Sequence, residues 1–303
     1  MRRQRTIAGP AMCAGVGVHS GAHVRLVLTP APVDTGIVFI RADLDGSDAR
    51  IKAHADYVST TQNGTTLRNE AGVEIATVEH LLAACAGLGV DNLFVEVDGP
   101  ELPILDGSSA PFVQVLANAG VKALYASQRM IRIVEPVEVR LGARKAALLP
   151  AGDFEGLDLD VTIRFADPAI GVQRRRLELT ETSFLKDIAQ ARTFGFLADV
   201  ERLHANGLGR GASLDNAVVL DGGRVVNPEG LRFDDEFVRH KLLDSIGDLA
   251  LAGAPICGRF VADQPGHALN TRLVRALLDT PEAWRWDQEE TRVQSPRFAA
   301  VAG

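Results

Sequence analysis

Apolar and polar positions first follow the period of strands. Residues 24–28 alternate apolar with polar before running into Pro30-Ala31-Pro32, and residues 36–41 form a second apolar run of strand length, so a β-rich opening is expected. The period then lengthens. Val78, Leu81, Leu82 and Cys85 recur at helical spacing within residues 77–86, and Gly87 with Gly89 supplies the stop, which predicts a helix followed by a strand over residues 92–97. Asp106-Gly107-Ser108-Ser109-Ala110-Pro111 offers cap residues and a first-turn proline for a helix reaching Ala117. Strand-like runs resume at residues 130–134, 137–140 and 157–165. Leu242, Leu243, Ile246 and Leu249 mark a further helix, ended by Gly253 and Pro255, with a strand over residues 256–261. Helix, glycine break and strand repeat the layout of the first half, with His80 and His240 near the two helix starts. A duplication would let these histidines face each other across a cleft.

Length and composition narrow the class. At about 100–200 residues per domain, the 303 residues favour two domains, here expected over 1–126 and 127–303. The net charge of −7 leaves no electrostatic footprint for nonspecific nucleic-acid binding, so no nucleic-acid partner is expected. Cys13, Cys85 and Cys257 are too scattered for a metal-ligand spacing and too few for a closed set of disulfides, which points to a reduced, cytoplasmic setting. Met1-Arg2-Arg3-Gln4-Arg5 before an apolar stretch has the outline of a signal peptide, but Gly9-Pro10 interrupts it early. No window offers eighteen uncharged apolar residues, so no stable membrane insertion is expected.

The chemistry concentrates in a few polar positions. Within Arg239-His240-Lys241 and the residues up to Asp248, positions 240, 244 and 248 lie one turn apart on one helix face, and His240 and Asp244 can bind the same ion. Spacing alone also suits an ordinary His/Asp pair shown to solvent, and a catalytic zinc would need a third ligand. Glu79-His80 pairs a carboxylate with an imidazole, although Ala84 rules out an HExxH site. His267 follows Asp263-Gln264-Pro265-Gly266 and reads as a turn histidine between a strand and a helix. The stretch from Gly15 to Gly21 lacks the ending of a phosphate loop and reads as a hairpin bend; the stretch from Gly207 to Gly211, with Arg210 inside it, reads as a flexible loop.

Taken in order, Thr77-Val78-Glu79-His80, Asp106-Gly107-Ser108, Ala191-Arg192-Thr193-Phe194-Gly195-Phe196, Arg239-His240-Lys241 through Asp248, and Gly266-His267-Ala268-Leu269-Asn270 resemble the bacterial UDP-3-O-acyl-N-acetylglucosamine deacetylases, the zinc enzymes of lipid A biosynthesis. Each motif is weak alone, but five in register are specific, and the resemblance covers nearly the whole chain. It implies an α+β fold of two similar two-layer sheet/helix domains, each with a small insertion and with the active site between them. It implies Zn2+ held by His80, His240 and Asp244, and a UDP-linked acylated amino sugar whose 2-acetamido group is hydrolysed. Glu79 is then the general base, Thr193 a donor to the oxyanion, His267 the cationic general acid, and Asp248 the group that orients it. Lys241 places positive charge beside the substrate, Phe194 contacts the sugar ring and Phe165 the nucleotide. The family's Phe-x-His-Pro run reads Phe165-Ala166-Asp167-Pro168 here, so the expected nucleotide pocket lacks that histidine. In the insertion near residues 193–230, Phe196, Leu197, Val200, Leu203 and Leu214 either line a passage for the acyl chain or form the insertion's own core. Two rival readings stay open: a nucleotide-binding kinase or transferase of related fold, which needs a magnesium-phosphate site, and a non-catalytic protein whose zinc is structural, which needs a fourth protein ligand.

Overall fold

Val24, Leu26 and Leu28 are buried while His23 and Arg25 are exposed, and this alternation lays strand His23–Pro30 over a core with one face to solvent. The computed structural model describes residues 2–287 except Asp45, Ser47 and Asp48. Residues 288–303 of the expected second domain lie outside the described residues. Strand His23–Pro30 belongs to a five-stranded sheet in the order Ala11–Val16, His23–Pro30, Leu93–Val97, Ile37–Arg41, Arg50–Lys52. The central strand pairs antiparallel on one side, Leu28 opposite Val95, and parallel on the other, Phe39 opposite Val95.

A seven-stranded sheet repeats this order. Strands Val137–Leu141 and Arg144–Leu149 form a hairpin beside the central Ile256–Asp263, whose other side pairs parallel with Leu157–Arg164 and through it with Val172–Glu178. The beginning of the central strand also pairs with Met130–Ile133, which carries Trp284–Asp287. Each half therefore has a hairpin, a central strand and a second antiparallel pair, the repeat that the two helix-glycine-strand units suggested. A three-stranded sheet interrupts each half: Val58–Thr60, Thr66–Arg68 and Glu74–Ile75 in the first, Phe194–Phe196, Val218–Asp221 and Arg224–Val225 in the second.

Among the described residues the α-helices are α1 (Glu79–Leu88), α2 (Ala110–Ala119), α3 (Glu181–Ser183), α4 (Val200–Ala205), α5 (Glu236–Leu249) and α6 (His267–Leu278). In α1 every residue but Ala86 is buried, so the apolar pattern is broad rather than a stripe, and Gly89 ends the helix in the left-handed region at φ 65°. Helix α2 starts at Ala110 and runs to Ala119, two residues beyond the expected end. Ser109 does not cap it: its hydroxyl donates to the backbone oxygen of His80 at 2.8 Å, tying α2 to the start of α1.

The hairpin bend is as expected, with Gly17 N–H donating to Ala22 O at 2.9 Å. The Gly207 to Gly211 stretch is not a free loop. Arg210 and Gly211 N–H groups donate to His19 O and Val18 O at 3.2 and 3.1 Å, so the second insertion rests on the bend of the first half.

Helices α1 and α5 touch backbone to backbone. A Cβ on Gly247 would fall 2.1 Å from Glu79 O, so only glycine lets α5 pass this close to the first turn of α1. Gly247→Ala is expected to force the helices apart and to cost about 1–3 kcal/mol, the usual range for overpacking. Urea unfolding checks this, and an unchanged midpoint would mean the crossing has slack.

Candidate active site

One face of α5 carries His240, Asp244 and Asp248, and all three are buried. Solvent is therefore not what this face meets. It meets the first turn of α1, where Glu79 and His80 are equally buried, and the first residue of α6, His267, so the reading of an exposed His/Asp pair is overturned. His80 and His240 face each other edge to face, ring centroids 5.1 Å apart. His80 Nε2 lies 3.6 Å and His240 Nε2 3.3 Å from Asp244 Oδ1, and one ligand atom from each residue fits within 4.8 Å of the others.

The donor set is that of a cation site. His240 Nδ1 lies 3.1 Å from Ala191 O and donates to it, which turns the Nε2 lone pair towards Asp244. Burial pushes the His240 pKa down to about 3, so the ring is neutral. Burial opposes the charge of Asp244, but the cationic Lys241 and His267 outweigh it and hold the carboxyl well below the usual carboxylate range. Lys241 Nζ donates to Asp244 Oδ2 at 2.6 Å, while the buried Oδ1 of Asp244 and Nδ1 of His80 have no hydrogen-bond partner. Two imidazoles and a carboxylate oxygen that converge without satisfying one another fit a divalent ion.

Glu79 and His267 flank this cluster. His267 Nε2 stands 3.7 Å from Glu79 Oε1 and 3.9 Å from Asp244 Oδ2, and its Nδ1 donates to Asp248 Oδ2 at 2.9 Å. Burial works against a charged His267, yet Asp248, Glu79 and Asp244 prevail and raise its pKa to about 10. Burial likewise raises the pKa of Glu79, with His267 and His80 opposing. The site thus pairs a carboxylate of raised basicity with an imidazolium, the division of labour that acid-base chemistry at one centre needs. His267 is not a turn residue but the first residue of α6.

The remaining expected residues gather around His240. Phe194 packs 6.1 Å from its ring and 5.6 Å from Phe165, and Lys241 Nζ lies 5.8 Å from the Phe194 centroid. Thr193 is held two residues beyond the carbonyl that orients His240, its N–H donating to Gly107 O at 2.8 Å. Gly107 has φ +84°, and a Cβ there would meet Asn216 O at 2.1 Å, so Asp106-Gly107-Ser108 serves as a seat for the 193 segment.

A family model for UDP-3-O-acyl N-acetylglycosamine deacetylase (LpxC) matches residues 4–279. The chain belongs to this deacetylase family. It is 55% identical over 282 residues to the UDP-3-O-acyl-N-acetylglucosamine deacetylase of Phenylobacterium zucineum, a match covering 93% of this chain and 95% of that protein. The proteins of the same name from Shewanella frigidimarina and Shewanella oneidensis are 50% and 47% identical, each over 302 residues, with 99% of this chain and 97% of the relative covered.

Three residues of the candidate site carry work that the sequence did not assign. Asn270 Nδ2 donates to Asp248 Oδ2 at 2.9 Å. Arg192, buried, bonds Glu236 through Nε at 2.9 Å and Nη2 at 3.1 Å and Glu229 through Nη1 at 2.6 Å, which pins the Ala191 carbonyl beside the start of α5. Thr65 bonds Asp248 from the first half. The first two stand inside recognisable motifs. Thr65 follows Asn63-Gly64, a hairpin-turn signal that marks a bend but says nothing of what the next residue reaches.

Among the described residues no helix is long and apolar enough to cross a membrane.

Proposed function

We propose that this chain is a Zn2+-dependent amidohydrolase that removes the 2-acetyl group of UDP-3-O-acyl-N-acetylglucosamine, giving UDP-3-O-acyl-glucosamine and acetate, a step of lipid A biosynthesis in the cytoplasm. The observation that carries the reading is the convergence of His80, His240 and Asp244 within 4.8 Å, with Glu79 and His267 beside them. Zn2+ held by those three residues would acidify a water and polarise the acetyl carbonyl, the usual Lewis-acid contribution. Glu79 takes the proton of the attacking water; its burial makes it a stronger base than an exposed glutamate. The Thr193 hydroxyl donates to the oxyanion that forms. His267, charged and backed by Asp248, delivers its Nε2 proton to the departing nitrogen, without which an amine leaves poorly.

Lys241 and Phe194 stand at the edge of this cluster and suit the sugar and its charged substituents, and Phe165, edge to face with Phe194, suits the nucleotide. In the second insertion Leu197 is 48% and Leu214 40% exposed, and Phe196, Val200 and Leu203 are half-buried. Residues this open are a poor core, which supports the passage for the acyl chain over the alternative.

The test joins metal analysis to product detection. Purified protein is expected to carry one Zn2+ and to release one acetate and one free amine per UDP-3-O-acyl-N-acetylglucosamine consumed. Zinc-loaded protein that releases no acetate overturns the reading.

A further inference from the structure

Thr65 is fully buried at the start of strand Thr66–Arg68, and it touches both sides of the site at once. Its backbone N–H donates to Glu79 Oε2 at 3.0 Å. Its hydroxyl donates to Asp248 Oδ1 at 2.7 Å and lies 3.2 Å from His267 Nδ1. The carbonyl of the same residue accepts from Val78 N–H at 3.3 Å, which anchors it to the residue before α1. Gly64, at φ +158°, makes the approach possible, since a Cβ there would press on Glu79 Oε1 at 3.1 Å.

Glu79 comes from α1, Asp248 from α5 and His267 from α6, so three separate elements must agree to a fraction of an ångström for base and acid to serve one reacting centre. Asp248 Oδ2 is fixed by Asn270 and His267, both of the second half. Among the described residues, Thr65 is the one in the first half that hydrogen-bonds Asp248. We propose that Thr65 is a positioning residue that locks the Glu79 carboxylate and the Asp248–His267 pair into one frame. This rests on Glu79 and His267 being the base and the acid of the deacetylation.

Thr65→Val keeps the shape and removes the hydroxyl. The expected result is a fall in kcat of about ten- to a hundred-fold, the scale of losing a hydrogen bond to a charged group, with KM and bound zinc unchanged. Thr65→Ser should recover most of that loss. In an Asp248→Asn background, itself slow, Thr65→Val should change kcat by less than about three-fold, because a residue acting through Asp248 couples to it. A near-native kcat for Thr65→Val in folded, zinc-loaded protein overturns the proposal, and so does the same fold-loss in both backgrounds. Should Thr65→Val not fold, Thr65→Ala set against Thr65→Ser carries the same comparison. If Glu79→Gln and Asp248→Asn leave kcat untouched, it is the reading of base and acid that fails; if they are slow and Thr65→Val is not, it is this inference.

Discussion

Glu79→Gln is expected to lower kcat by about 10²- to 10⁴-fold, the contribution usual for a positioned base, while the protein keeps its zinc. The amide has the size of the carboxylate and can still accept from Thr65 N–H, which Glu79 does at 3.0 Å. What it lacks is a lone pair basic enough to take a proton. In the native protein burial raises that basicity, and the neighbouring His267 keeps it from rising further. Glu79 is not among the three residues that converge on the cation site, so metal content should not follow activity. Acetate release measured beside zinc per chain separates the two, and a variant within ten-fold of the native rate removes Glu79 from the base role.

His267→Ala should be of similar size, again about 10²- to 10⁴-fold in kcat, with a much smaller change in KM. With a pKa raised to about 10, the ring is charged throughout the neutral range and serves as a proton donor without first having to acquire a proton. Its Nε2 lies on the side of Glu79 Oε1 and Asp244 Oδ2, 3.7 and 3.9 Å away, where the reacting atoms would sit, while its Nδ1 is committed to Asp248. Asp248→Asn keeps the hydrogen-bond partner but removes the charge that favours the cation, and should fall between His267→Ala and the native enzyme. Steady-state kinetics on the zinc-loaded variants decide it: an unchanged kcat for His267→Ala would leave the departing nitrogen without its donor.

Much of this arrangement is legible in the sequence, for reasons particular residues explain. The strands declared themselves because Val24, Leu26 and Leu28 bury one face and Arg25 does not. Helix α5 was legible because its polar residues fall a turn apart, but period alone cannot say whether such a face meets water or another helix. Here it meets α1, at a distance set by Gly247, and an isolated glycine in a helix carries no mark of its neighbour. The reading of His80, His240 and Asp244 as zinc ligands, and of Glu79 and His267 as base and acid, rests on the order of the motifs rather than on spacing, since His80 and His240 are far apart in the chain. Ser109 misled for a related reason: a serine before a helix predicts a cap, and tertiary structure diverted its hydroxyl to His80 O. Thr65 was invisible because a threonine after a turn is commonplace, and its value comes wholly from contacts 183 and 202 residues away in sequence.

The proposed cation site draws one imidazole from α1 and its other two residues from α5, so more than half of the polypeptide separates the first from the last. During synthesis the early portion leaves the ribosome with Glu79 and His80 but nothing to complete a coordination sphere. Only when residue 244 has emerged and α5 has settled on α1 can an ion be captured at full strength. A chain cut short before residue 240 lacks two of the three converging residues and should therefore hold no ion at this place.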